Sequence, residues 1–195
     1  MMGAVPVPKL SVEEFLAIDR VAEVPSEFRD GEMFPIEAVT YEHSRISVKV
    51  GASLDKRLKG SACAVAASPL RVRVMTSKYV IPDYAVVCGG PEFTDTHRDT
   101  ITNPKVIFEI LSPSTADYDF GHKFRLYCRL ASFEEYVLIS QDEARVERYR
   151  KSAEDRWILS IYRGVDAVVP VECLDISLPL AEIYEDVQFP TLVVD

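Results

Sequence analysis

Lys105-Val106-Ile107-Phe108-Glu109-Ile110-Leu111-Ser112-Pro113-Ser114-Thr115 is the stretch on which the fold of this chain turns. Val106 to Leu111 is rich in β-formers and reads as a buried strand, yet an acid, Glu109, stands inside it. An ionised carboxylate there is costly unless it is paired or bound to a cation. A second apolar run, Tyr79-Val80-Ile81-Pro82-Asp83-Tyr84-Ala85-Val86-Val87, is also interrupted by an acid. Pro82 removes a ladder donor, which predicts a kink or an edge at that point. If the two strands pair, Asp83 and Glu109 meet on one face. Two acids there repel and raise one pKa unless a divalent ion compensates, and carboxylates suit a hard cation such as Mg²⁺.

Downstream, Ser112-Pro113-Ser114-Thr115 predicts a sharp exit from the strand, and a helix is expected over about 119–130, with Asp119 as its N-cap. Phe120, Phe124, Tyr127 and Ala131 recur at helical spacing and are expected to face the core. Lys123 lies four residues before Tyr127 and so on the same face. An amine beside a carboxylate–metal pair orients or activates water and stabilises charge on a phosphate. The same spacing also fits a structural reading, in which Glu109 and Lys123 form a buried ion pair, Asp83 ends a strand after a proline turn, and no chemistry follows.

Working outward, Ser11 and Glu14 form a capping box for a short helix over 11–19, and Asp30-Gly31 marks a hairpin turn. Ile46, Val50, Leu54 and Leu58 recur every four residues and predict a helix from about Thr40, stopped at Gly60. Strands are expected over about Cys63–Met75, bent at Ser68-Pro69, then Tyr79–Cys88, Lys105–Leu111 and Glu135–Ser140. Arg145–Arg150 and Trp157–Tyr162 flank Ala153-Glu154-Asp155 as an exposed hairpin, and a short helix closes the chain over 179–187. Consecutive strands followed by a crossover helix imply a mixed sheet covered by helices.

The 195 residues fit one domain, and 48% apolar with 27% charged residues describes a globular protein with material for one core. No stretch approaches the roughly 18–20 apolar residues of a membrane span. The N-terminal residues carry Pro6 and Pro8 without a long apolar segment, so no signal peptide and a cytoplasmic location are expected. Cys63, Cys88, Cys128 and Cys173 are scattered with no close pair, which predicts buried free thiols. A net charge of -9 opposes long-range attraction to a polyanion. The charge is uneven: Arg45, Lys49, Lys56, Arg57, Lys59, Arg71, Arg73 and Lys78 cluster against Asp55 alone, whereas 166–195 carries only acids. That pattern gives either a basic and an acidic face or two solvated surfaces.

The order Pro82-Asp83 … Glu109-Ile110-Leu111 … Lys123 resembles a PD-(D/E)XK motif whose lysine has moved to the next helix. Glu109-Ile110-Leu111-Ser112-Pro113-Ser114-Thr115, with Asp119, Lys123 and Tyr127, resembles the signature of the Uma-two family of endonuclease-like proteins. Glu27-Phe28-Arg29-Asp30-Gly31-Glu32, His43 and Asn103-Pro104 also fit that family, and the likeness runs from about Ser11 to Val187. Leu111 departs from the wider superfamily, since a lysine is usual there.

The resemblance implies an α/β (α+β) restriction-endonuclease-like core, a mixed central β-sheet flanked by helices with an added β-hairpin. A single domain 1–195 is expected, with its core over about 40–140, an N-terminal helix and hairpin over 11–36, and a C-terminal hairpin and helix over 145–187. It implies that Asp83 and Glu109 bind Mg²⁺ or Mn²⁺, helped by a carbonyl near Ile110, and that Lys123 positions water. Glu27, His43 and Tyr127 are possible accessory residues. The expected activity is metal-dependent cleavage of nucleic acid, DNA first, by a homodimer. The alternatives are a catalytically inactive nuclease-fold scaffold or nucleic-acid-binding module, and a metal hydrolase of small phosphorylated substrates.

Overall fold

The computed structural model describes residues 9–112 and 116–189. The expected exit over Pro113-Ser114-Thr115 lies outside the described residues. In chain order the elements begin with α1 (Val12–Asp19), β1 (Ser26–Arg29), β2 (Glu32–Pro35) and α2 (Tyr41–Leu58). The middle of the chain forms β3 (Cys63–Ala67), β4 (Arg71–Met75), β5 (Lys78–Val80), β6 (Tyr84–Cys88), β7 (Thr100–Ile101) and β8 (Val106–Leu111). A π-helical turn (Tyr118–Lys123) leads into α3 (Phe124–Tyr127), followed by β9 (Glu135–Ser140), β10 (Arg145–Lys151), β11 (Trp157–Arg163), β12 (Val168–Val171), β13 (Ile176–Pro179) and α4 (Leu180–Ile183).

Six strands form the central sheet in the order β11-β10-β9-β8-β6-β3. It is mixed: β8 and β9 run parallel, while the other neighbours are antiparallel. Because side chains alternate along a strand, Val106, Phe108 and Ile110 of β8 join one core with the Ile46, Val50, Leu54 and Leu58 stripe of α2. Ile107 joins a second core on the other face, with Leu126, Tyr127, Phe133 and Tyr136. Glu109 has the parity of Ile107 and enters that second face. The helix ends are set locally. Ser11 and Glu14 form the reciprocal capping box of α1, and the Thr40 hydroxyl accepts the His43 N–H at the start of α2.

A second sheet, ordered β2-β1-β5-β4-β7, packs beside the first. The expected strands over 63–75 and 79–88 are each split between the two sheets: β3 and β6 belong to the central sheet, β4 and β5 to the second. The chain changes sheet at Ser68-Pro69-Leu70 and again at Ile81-Pro82-Asp83, so the missing Pro82 N–H coincides with the second crossing. The Ser68 N–H donates to the Asp83 carbonyl at 2.9 Å and ties the crossings together. The C-terminal hairpin is not an appendage, because β10 pairs along β9 and extends the central sheet. An unexpected hairpin, β12–β13, precedes a closing helix shorter than predicted.

Two further expectations change. Cys63 and Cys88 are not free thiols: they sit opposite one another in the β3–β6 register and form a disulfide. Close spacing in the sequence was the wrong test, since antiparallel register brings distant cysteines together. Asp119 is not an N-cap; it is buried inside the π turn. The charge clusters also meet. Lys49 pairs with Glu185, Arg57 with Glu182 at 2.9 Å, and Arg45 approaches Asp186 at 4.0 Å. Much of the basic side of α2 is thus neutralised by the acidic C-terminal segment rather than left as an open face.

Candidate active site

The site grows from the place where β6 stops. The β6–β8 register ends at Tyr84 opposite Phe108, so the next amides of β8 need other partners. The Ile110 N–H donates to Asp83 Oδ2 at 2.7 Å, and the Asp83 N–H donates in return to Glu109 Oε2 at 3.1 Å. This exchange replaces the missing ladder and brings the two predicted acids side by side. Pro82 and the sheet crossing are therefore the local cause of the pairing.

Lys123 approaches from the π turn. Its Nζ lies 2.8 Å from Glu109 Oε1, donates to the Ile81 carbonyl at 3.0 Å, and stands 3.5 Å from both Glu27 and Asp119. Tyr127 also donates to Glu109 Oε1, at 3.1 Å. Lys123 and Tyr127 thus share a face and an acceptor, as their spacing predicts. His43, at the start of α2, places Nε2 3.4 Å from Asp83 Oδ2. Glu27 accepts the Ile81 N–H at 3.1 Å and the Tyr118 hydroxyl at 2.6 Å. All six predicted residues therefore converge. Asp119 and Tyr118 join them; the signal for Asp119 was its position four residues before Lys123 on one helical face.

Glu109, Lys123, Glu27 and Asp119 are each less than 7% exposed. Burial pushes the Glu109 carboxyl well above the usual range, and the Asp119 and Asp83 charges add to it against the pull of Lys123. Burial works against the Lys123 charge, but Glu109, Glu27 and Asp119 outweigh it and hold the ammonium above its ordinary range. Tyr118 is pushed up by burial and by Glu27.

These groups line a cleft of about 640 Å³, whose far wall is Phe34 to Thr40. Glu27, Glu109 and Asp119 surround Lys123 there and Asp83 stands beside Glu109, so the acids outnumber Lys123 and Arg29, an excess of carboxylate that a divalent cation would balance. The donors are hard oxygens, and Nδ1 of buried His43 has no hydrogen-bond partner in the protein. Among the described residues no cluster of three or more His, Cys, Asp or Glu side chains forms a ready-made cage. Mg²⁺ keeps several waters and binds through one or two carboxylates. Asp83 and Glu109 supply two adjacent carboxylates of that kind.

Several known proteins resemble this chain. "Uncharacterized protein slr1290" of Synechocystis sp. is 31% identical over 185 residues, spanning 94% of this chain and 96% of the relative. "Uncharacterized protein sll1609" of the same organism is 32% identical over 170 residues, spanning 87% and 96%. The crystal structure of "a putative nuclease belonging to DUF820" from Anabaena variabilis matches 90% of this chain and 97% of its own, with a TM-score of 0.71 at 21% identity. That likeness shows a shared fold. The family model described as "Putative restriction endonuclease" matches residues 12–181, nearly the whole described chain, and the protein therefore belongs to the Uma2 family.

Proposed function

We propose that the protein is a divalent-metal-dependent endonuclease that hydrolyses phosphodiester bonds, with DNA as the first substrate to test. The observation that carries this reading is the reciprocal tie between Asp83 and Glu109 inside a cleft whose carboxylates outnumber its cations. Asp83 and Glu109 would hold Mg²⁺ or Mn²⁺. When bound, such an ion supplies Lewis acidity toward the phosphate and lowers the pKa of water. Lys123 keeps Glu109 oriented through their ion pair and holds positive charge beside the reacting phosphate. Tyr127 fixes the other lone pair of Glu109 Oε1, and His43 orients Asp83. Glu27 anchors Tyr118 and completes the ring of acids around Lys123.

No helix of the described residues is long and apolar enough to cross a membrane. We also place the enzyme in the cytoplasm, where nucleic acid is accessible and where Cys63 and Cys88 would face one another as reduced thiols. We further propose a homodimer, formed by pairing at the β11 edge, where Ile158, Leu159 and Ile161 are exposed. Sedimentation of the purified chain tests that part.

The purified protein is expected to cleave plasmid or single-stranded DNA with Mg²⁺ or Mn²⁺, and Asp83→Ala and Glu109→Ala to abolish cleavage. Intact DNA with both metals would sink the reading. One observation favours a catalytically inactive scaffold instead: Lys123 already spends its donors on Glu109 and the Ile81 carbonyl. In that case Glu109→Ala changes stability while divalent ions neither bind nor matter.

A further inference from the structure

Arg29 is the cation of this cleft that no acid claims. On β1, Phe28 turns into the small core with Phe15 and Tyr79, while Glu27 and Arg29 turn the other way and line the cleft. Glu27 is engaged elsewhere, with one oxygen accepting the Ile81 N–H and facing Lys123 and the other accepting the Tyr118 hydroxyl. No ion pair involves Arg29 among the described residues, and its buried Nε has no hydrogen-bond partner. Two rings hold the guanidinium in place: its carbon stands 3.6 Å from the Phe34 ring centroid and 4.7 Å from that of Tyr118. His122 stacks on Tyr118 at 5.5 Å and extends the pile.

A guanidinium clamped between aromatic faces is already oriented, so little rotamer freedom is lost when it forms its hydrogen bonds. A buried N–H without a partner is rare in a folded protein and calls for one. The guanidinium itself borders a cleft whose other charges are mostly negative, Glu27 and Glu37 among them, so an anion entering there meets Arg29 as its unpaired cation. A phosphate offers several acceptor oxygens to the planar fork.

We infer that Arg29 is the phosphate-binding side chain of the cleft, where it takes a phosphate of the nucleic-acid strand beside the acidic centre. The choice of an anion rests on Arg29; the choice of a phosphate, and of the strand that carries it, rests on the proposed nuclease function. The fork binds the phosphate directly, and this contact needs no metal.

Fluorescence anisotropy with a labelled single-stranded oligonucleotide, in EDTA and over a range of salt, tests the assignment with the full chain. Arg29→Ala is expected to weaken binding roughly 10–100-fold at low salt and to reduce the salt slope by about 0.7. Arg29→Lys is expected to keep the slope but lose part of the affinity, since it retains charge without the fork. Arg29→Gln, which leaves a planar amide between the rings, guards against a folding defect and is expected to lose slope as Arg29→Ala does. A second arm follows phenyl phosphate by ligand-observed NMR. Arg29-dependent binding of phenyl phosphate with no binding of the strand upholds the Arg29 assignment and sinks the nuclease reading. Unchanged binding of both probes by Arg29→Ala and Arg29→Gln overturns the assignment, and so does a wild-type protein that binds neither.

Discussion

Lys123 Nζ and Glu109 Oε1 lie 2.8 Å apart with both side chains almost wholly buried. Neither residue is isolated, for Glu27 and Asp119 crowd the same ammonium at 3.5 Å. Removing the lysine therefore strands several carboxylates together, whereas removing one carboxylate leaves the lysine with others.

This asymmetry predicts unequal costs. Lys123→Ala is expected to destabilise the fold by about 3–5 kcal/mol, the range for an uncompensated buried charge. Glu109→Gln should cost less, and the double variant less than the sum of the two. Urea unfolding with an unchanged m-value is the measurement. Equal and additive losses would show that the two residues do not share one ion-pair network.

Metal binding should appear as stabilisation. A divalent ion at about 100 times its dissociation constant adds roughly 2.7 kcal/mol, which for a chain of this size raises the melting temperature by roughly 5–10 °C. Thermal melts with Mg²⁺, Mn²⁺ and EDTA read this directly. Asp83→Asn and Glu109→Gln are expected to erase the shift, and Arg29→Ala to preserve it.

Acid stability should depend on a different cluster. Arg20 holds Asp99 at 2.7 Å and Asp95 at 2.6 Å, and Arg71 reaches Asp99 at 2.8 Å. Hydrogen bonding from Arg20, helped by the charge of Arg71, lowers the Asp99 pKa from 3.8 to about 2. A depressed folded pKa means that the contribution is complete above the unfolded value and disappears as pH falls through about 2. Allowing for partial solvent screening, it amounts to about 1–2 kcal/mol. Asp99→Asn is expected to flatten the fall in stability between about pH 4 and pH 2 by that amount, read from urea midpoints.

Gly51 gives a packing test. A Cβ there would meet Tyr84 Oη at 2.9 Å and Cε1 at 3.1 Å. That hydroxyl is held by Ser47, whose carbonyl accepts from it at 2.5 Å. Gly51→Ala gains about 1 kcal/mol of helix propensity but forces Tyr84 aside, at a cost of roughly 1–3 kcal/mol. The expected net effect is a loss of about 1 kcal/mol, with α2 displaced from the central sheet. An increase in melting temperature would show that Tyr84 yields freely.

What could be read from the sequence was what neighbouring residues decide. The Ser11–Glu14 box and the α2 stripe depend on spacing within a few turns, and both appear as expected. The Asp83, Glu109 and Lys123 set was visible because charges inside apolar runs demand compensation. The two sheet crossings were hidden, since β-formers look alike in whichever sheet they lie. The Cys63–Cys88 bond depends on a register no local pattern encodes. Asp119 resembled a cap because an acid near a helix start usually is one, and the π turn that buries it leaves no local mark. Arg29 was visible only as part of a turn motif; its alternation with Phe28 becomes informative once the cleft is known.

The pairing of α2 cations with the C-terminal acids has a consequence for how any polyanion meets this molecule. Lysines and arginines cancelled by their own chain project little field past the roughly 8–10 Å over which salt screens charge. With a net charge of -9, the long-range field then opposes a polyanion rather than steering it inward. Under the proposed function, attraction would act only at contact, where the Arg29 guanidinium lies against Phe34 and Tyr118.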